Sequence, residues 1–92
     1  MMFKPNPKKQ VEITFLKLFG RGHKVSITGS RITPAQCEAH GLMARSRDGL
    51  YLTELAVDGE VVAHAADRDW RASYKKLSIA VENLYAAGTA MV

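Results

Sequence analysis

Two Asp-Gly pairs, Asp48-Gly49 and Asp58-Gly59, limit what this chain can fold into more than any other feature. Asp-Gly is favoured at two-residue hairpin turns because both central positions need positive φ, which glycine adopts freely and aspartate tolerates. Apolar and polar residues alternate on both sides of each pair. Leu42–Ser46, Leu50–Val57 and Glu60–Ala66 are therefore expected as an antiparallel three-stranded meander.

The flanking segments complete the outline. Thr33 with Gln36 three residues later matches a capping box, Pro34 falls at the first helical position, and Gly41 follows the end. These signals frame a short helix over Pro34–His40. Asp67 or Asp69 can cap a longer helix from Trp70 to Ala87, stopping at Gly88. Its Trp70, Tyr74, Leu77, Val81 and Leu84 fall on one stripe, which predicts that this face lies across the sheet. Val11–Phe19 is rich in β-branched and aromatic residues and is expected as a strand. With Lys24–Thr28 it would form a hairpin through Gly20-Arg21-Gly22. The expected order is ββαβββα, a mostly antiparallel α+β domain with one long C-terminal helix packed on the sheet. Residues 1–10, with Pro5, Pro7 and paired lysines, read as a basic flexible arm. Residues 11–88 then form the domain and 89–92 a tail.

Ninety-two residues support one core, because two would each be too small without disulfides or metals. Cys37 is the only cysteine, which fits a reducing compartment and supplies no cysteine-rich zinc site. No apolar run approaches the roughly 20 residues needed to span a bilayer. No apolar stretch with a small-residue cleavage site follows the N-terminal lysines. A cytoplasmic protein without a membrane partner is the expectation.

Charge is distributed unevenly along the chain. Residues 1–47 carry nine Lys and Arg against two acids, a balance of +7, while residues 48–92 carry four against seven, a balance of −3. Such a split suggests a cationic surface for an anionic partner. The candidate contact residues are Lys8 and Lys9 on the arm, Arg21 and Lys24 at the hairpin tip, Arg31 before the short helix, and Arg45 and Arg47 near the first Asp-Gly turn. Residues two apart on a strand point to one side, so Arg45 and Arg47 would form a fork suited to phosphate or carboxylate oxygens. Arg71 and Lys75 lie in the net-acidic half and are expected to contribute less.

Candidate chemistry is sparse. Cys37 and His40 are three apart on the short helix and could approach each other. Cysteine is among the most buried residue types, however, and no oxyanion-hole motif accompanies the pair. His23, His40 and His64 share no metal-binding spacing, and His64 reads as a packed or edge histidine in an alanine-rich strand. Asp67 and Asp69 are better explained as helix caps than as a metal pair. Gly20-x-Gly22 lacks the further glycines and following helix of a phosphate loop. No cofactor, metal or small-molecule substrate is implied, and the expectation is a binding protein rather than an enzyme.

Residues 41–55, GLMARSRDGLYLTEL, resemble the stretch of winged-helix regulators where the recognition helix ends and the wing hairpin begins. That likeness would make the chain a small DNA- or RNA-binding regulator, with Arg45 and Arg47 as wing residues touching the DNA backbone. It departs from the family in having an expected hairpin and one short helix upstream, where winged helices carry two or three helices. In size and style, though in no motif, the chain is similar to the small phage-encoded inhibitors called anti-CRISPR proteins. That resemblance implies a stoichiometric inhibitor, acting in the bacterial cytoplasm, that docks its basic face on a protein–RNA surveillance complex.

The capping box yields a local expectation. Thr33→Ala should destabilise the fold by about 0.5–2 kcal/mol in a denaturant melt, because the amides it serves lose their acceptor. Amide exchange over Gln36–Ala39 should quicken with it; unchanged exchange would remove the helix start from Thr33.

Overall fold

A computed structural model describes residues 6–42 and 49–90. In chain order they form α1 (Pro7–Phe19), β1 (Val25–Ile32), α2 (Pro34–Ala39), β2 (Leu50–Val57), β3 (Glu60–Asp67) and α3 (Trp70–Ala90). The strands make one antiparallel sheet in the order β1-β2-β3. This is the α+β class that the sequence implies, with the long C-terminal helix packed on the sheet.

The second Asp-Gly turn forms as expected. Asp58 and Gly59 have φ of 53° and 87°, the doubly positive pair that matches strand twist and closes the β2–β3 hairpin. Register then fixes the two faces. Ile27, Leu55 and Ala63 lie in one row and Gly29, Thr53 and Ala65 in the next, so one face presents a continuous apolar strip. On it rest α1 and α3, with Val11, Phe15, Tyr74, Leu77 and Val81 joining Ile27, Leu55 and Ala63 in a single core. Among the described residues the buried polar side chains are Thr53 and Ser73. Their hydroxyls lie 3.0 Å apart and both reach the Ala65 carbonyl at 3.2 Å, so neither is left unpaired.

Gly29 has an ordinary φ but no room. A Cβ there would collide with the Tyr74 hydroxyl and the Tyr51 ring, which lie against the β1 backbone. The opposite face is only partly covered. Thr33 and Gln36 form the capping box reciprocally, at 3.2 and 2.8 Å, and the α2 that follows packs Cys37 on Ile32 and Leu52 at one end of the sheet. Ser26, Thr28 and His64 on the remainder stay exposed.

Three expectations need correction. Val11–Phe19 is helical, not a strand, and no hairpin forms through Gly20–Gly22. Asn6 caps this helix by accepting the Lys9 amide at 2.7 Å, and Pro7 sits at its start. Val11, Phe15 and Phe19 are spaced by four, a helical face that packs on α3. Tertiary burial of that face outweighs the β-propensity of the individual residues. The supposed flexible arm therefore contributes residues 7–10 to a helix. Finally, α3 continues past Gly88 to Ala90, and its stripe is buried only in the middle: Trp70 and Leu84 are 41% and 39% exposed. The strand expected over Leu42–Ser46 and the Asp48-Gly49 turn fall largely outside the described residues.

Burial separates two leucines on the same stripe. Leu77→Ala should cost about 2–5 kcal/mol in a denaturant melt, as for truncation of a fully buried leucine. Leu84→Ala should cost less than about 1 kcal/mol. Equal losses would mean that the helix docks in a different rotation.

Candidate functional site

The five candidate cations among the described residues, Lys8, Lys9, Arg21, Lys24 and Arg31, do not converge on one patch. Lys8 and Lys9 occupy the first turn of α1, where Lys9 pairs with Glu12 at 3.0 Å. Together with Asn6 and Glu12 they form one wall of a groove of about 350 Å³, whose other wall is Val25, Ser26 and Ile27 at the start of β1. Because β1 is an edge strand, one side of its backbone is free of strand partners among the described residues. Lys24 immediately precedes this segment, so the groove lies between a cationic helix turn and the beginning of a sheet edge.

Arg21, His23 and Lys24 belong to the connection between α1 and β1, and an acid sits among them. The Asp58 carboxylate accepts the Lys24 amide at 3.0 Å and lies 3.3 Å from His23 Nδ1, while the Asp58 amide donates to the Lys24 carbonyl at 2.8 Å. The Lys24 amide and the His23 ring hold the Asp58 carboxyl below its ordinary range. The β2–β3 turn thus clips the connection in place, and the connection is less cationic than its own sequence suggests. Turn chemistry already accounted for Asp58, which concealed this second role.

Arg31 stands towards the far end of β1, roughly 17 Å from Ser26 at strand spacing. It is exposed, and its Nη2 donates to the Arg68 carbonyl at 2.9 Å, tying the end of β1 to the turn before α3. Arg45 and Arg47 lie outside the described residues. Beside Arg31 the fold gathers residues that sequence reasoning set aside. Arg68 and Arg71 are exposed, and the Arg71 guanidinium carbon lies 5.0 Å from the centroid of the Trp70 ring. Tyr74 meets that ring edge-on at 6.4 Å and is itself 6.0 Å from Tyr51. Burial, with the Tyr51 hydroxyl beside it, pushes the Tyr74 phenol up to about 12, so this support stays neutral.

Comparison of the chain with protein families, curated proteins and solved structures found no match.

The remaining reactive side chains have structural settings. Cys37 is fully buried between Ile32 and Leu52, and His40 closes α2 through its backbone amide. His64 is exposed on the edge strand β3. Asp69 accepts the Ala72 amide at 2.9 Å as the α3 cap, and Asp67 pairs with Lys76 at 3.0 Å. Among the described residues no three His, Cys, Asp or Glu side chains gather where a metal could sit. None of the described helices is long and apolar enough to cross a membrane.

The Asp58 clip has a pH signature. A carboxyl whose folded pKa is lowered stabilises the fold above its ordinary value near 3.9, and that contribution is lost as pH falls through the lowered folded value. Asp58→Gly preserves a turn of positive φ and removes the carboxylate. It should flatten the acid limb of a stability–pH curve and quicken exchange of the Lys24 amide. An acid limb identical to the wild type would show that the clip carries no linkage.

Proposed function

We propose that this chain is a non-catalytic binding protein, a stoichiometric inhibitor that docks a basic surface on a nucleoprotein and blocks its nucleic-acid function. The observation that carries this reading is the groove in which Lys8 and Lys9 face the start of the β1 edge. A strand edge offers backbone hydrogen bonds to an extended segment, and flanking lysines favour an acidic one or a phosphate backbone. Arg21 and Lys24 extend the positive field from the adjoining connection, and Arg45 and Arg47 remain candidates on sequence grounds. The partner class is a CRISPR-type surveillance complex of protein and guide RNA, in keeping with the chain's size and style.

A DNA- or RNA-binding regulator of winged-helix type is the second reading. It gains one point from α1, because a helix now stands upstream where a hairpin was expected. Naked nucleic acid separates the two. The regulator binds duplex directly with a steep salt dependence, whereas the inhibitor captures the assembled complex far better than free duplex.

The charge reversal Lys8→Glu/Lys9→Glu should weaken capture of a guide-RNA-loaded surveillance complex by about tenfold or more and flatten the salt dependence. Lys17→Glu, on the same helix but away from the groove, should do much less than Lys8→Glu or Lys9→Glu alone. Binding titrations at several salt concentrations measure both. Equal losses would reduce the groove to general surface charge, and no capture by the wild type would remove the inhibitor reading.

A further inference from the structure

We infer that the corner formed by Trp70, Arg71, Arg68 and Arg31 is a base-stacking site for single-stranded nucleic acid. The inference does not depend on the α1 groove, which lies at the other end of β1.

The indole is the starting point. Tryptophan is usually among the most heavily buried side chains, yet Trp70 leaves 41% of its surface in water at the first position of α3. It is nevertheless held in place. Tyr74 supports one edge from the core, and Tyr74 is itself buried against Tyr51 and the bare backbone of Gly29. Arg71 lies over the ring, so an aromatic plane and a cation are presented together. A pair held this way loses little freedom when a ligand arrives.

The charges around the ring favour an anion. Arg31 comes from β1 and Arg68 from the turn before α3, and one hydrogen bond brings these distant residues together. Lys75 follows one turn after Arg71 and is exposed. Among the described residues the two acids next to this turn are engaged, Asp67 with Lys76 and the Asp69 side chain with the Ala72 amide. Arginine forks match phosphate oxygens, and both indole and guanidinium planes accept a nucleobase face. A base within a duplex has no free face, so the ligand is a single strand with a splayed base.

A solvated cation–π pair with no ligand would look similar at rest, and binding tells them apart. Trp70 is the sole tryptophan, so its emission reports this corner alone. Oligothymidylate and oligouridylate of about 12 nucleotides should quench it saturably, and a duplex of equal length should quench it far less. By anisotropy of the labelled strand, Trp70→Ala should weaken binding by about tenfold or more, whereas Trp70→Phe should retain most of it. Arg71→Gln should weaken binding and flatten its salt dependence. Lys8→Glu/Lys9→Glu should leave the quenching intact, so failure of the groove and failure of this corner are distinguishable. Thermal melts of each variant guard against loss of fold, and Trp70→Phe keeps the test open should Trp70→Ala unfold. Absence of quenching, equal quenching by duplex, or full binding by Trp70→Ala would overturn the inference. Protection of Trp70 by a protein partner with no response to oligonucleotide would overturn it in favour of a protein interface.

Discussion

Leu55 at the middle of the central strand and Leu77 at the middle of α3 are both fully buried in one core, and the rest of the molecule is arranged around that burial. A three-stranded sheet is marginal by itself and needs a hydrophobic face covered by other elements. Here α3 covers β2 and β3, and α1 lies beside α3 to complete the cover through Val11 and Phe15. The buried hydroxyls of Thr53 and Ser73 sit inside the same layer, where pairing with each other and with Ala65 offsets their desolvation. Once α3 is fixed over the sheet, its first turn must emerge at the sheet's end. That geometry brings the turn that leads into Trp70 and Arg71 against Arg31, through the Arg68 carbonyl.

Much of the fold was legible because its signals are local. The Asp58-Gly59 turn, the Thr33 capping box and the central stripe of α3 each depend on residues within a few positions of one another. The α1 segment was misread for a physical reason. Its β-branched and aromatic residues favour an extended chain taken singly, whereas its spacing by four acquires meaning only when another helix is there to bury that face. The start signals, Asn6 and Pro7, were present but fell in a segment whose prolines suggested an arm.

The candidate site was less legible, because charge was summed along the chain while partners meet charge in space. Lys8 and Lys9 do line one groove, and Lys24 precedes the β1 residues that form its other wall. Arg31 was grouped with them but is carried to the opposite end of its strand, where it joins arginines from the half of the chain counted as acidic. Three of the seven acids of that half have partners of their own: Asp58 clips the connection before β1, Asp67 holds Lys76, and Asp69 caps a helix. Trp70 was assigned to the core from its place on the stripe. A helical stripe says which side faces inward but not where the sheet beneath it ends.

The uneven covering of the sheet also affects how the sequence can change. Along β1 and the inner part of β2, odd-numbered positions from Ile27 to Leu55 face the helices, and at Gly29 even a methyl group has no room. Even-numbered positions such as Ser26 and Thr28 face water, except where α2 seals Ile32 and Leu52. Tolerance to mutation should therefore follow residue parity along each strand, interrupted at the α2 end and at the register shift where Leu55 pairs with Ala63 but Ala56 with Val61. A lineage of such proteins could diversify the open face almost freely while the helix-bearing face stays fixed, so new specificities can be acquired on one side of the sheet without putting the fold at risk.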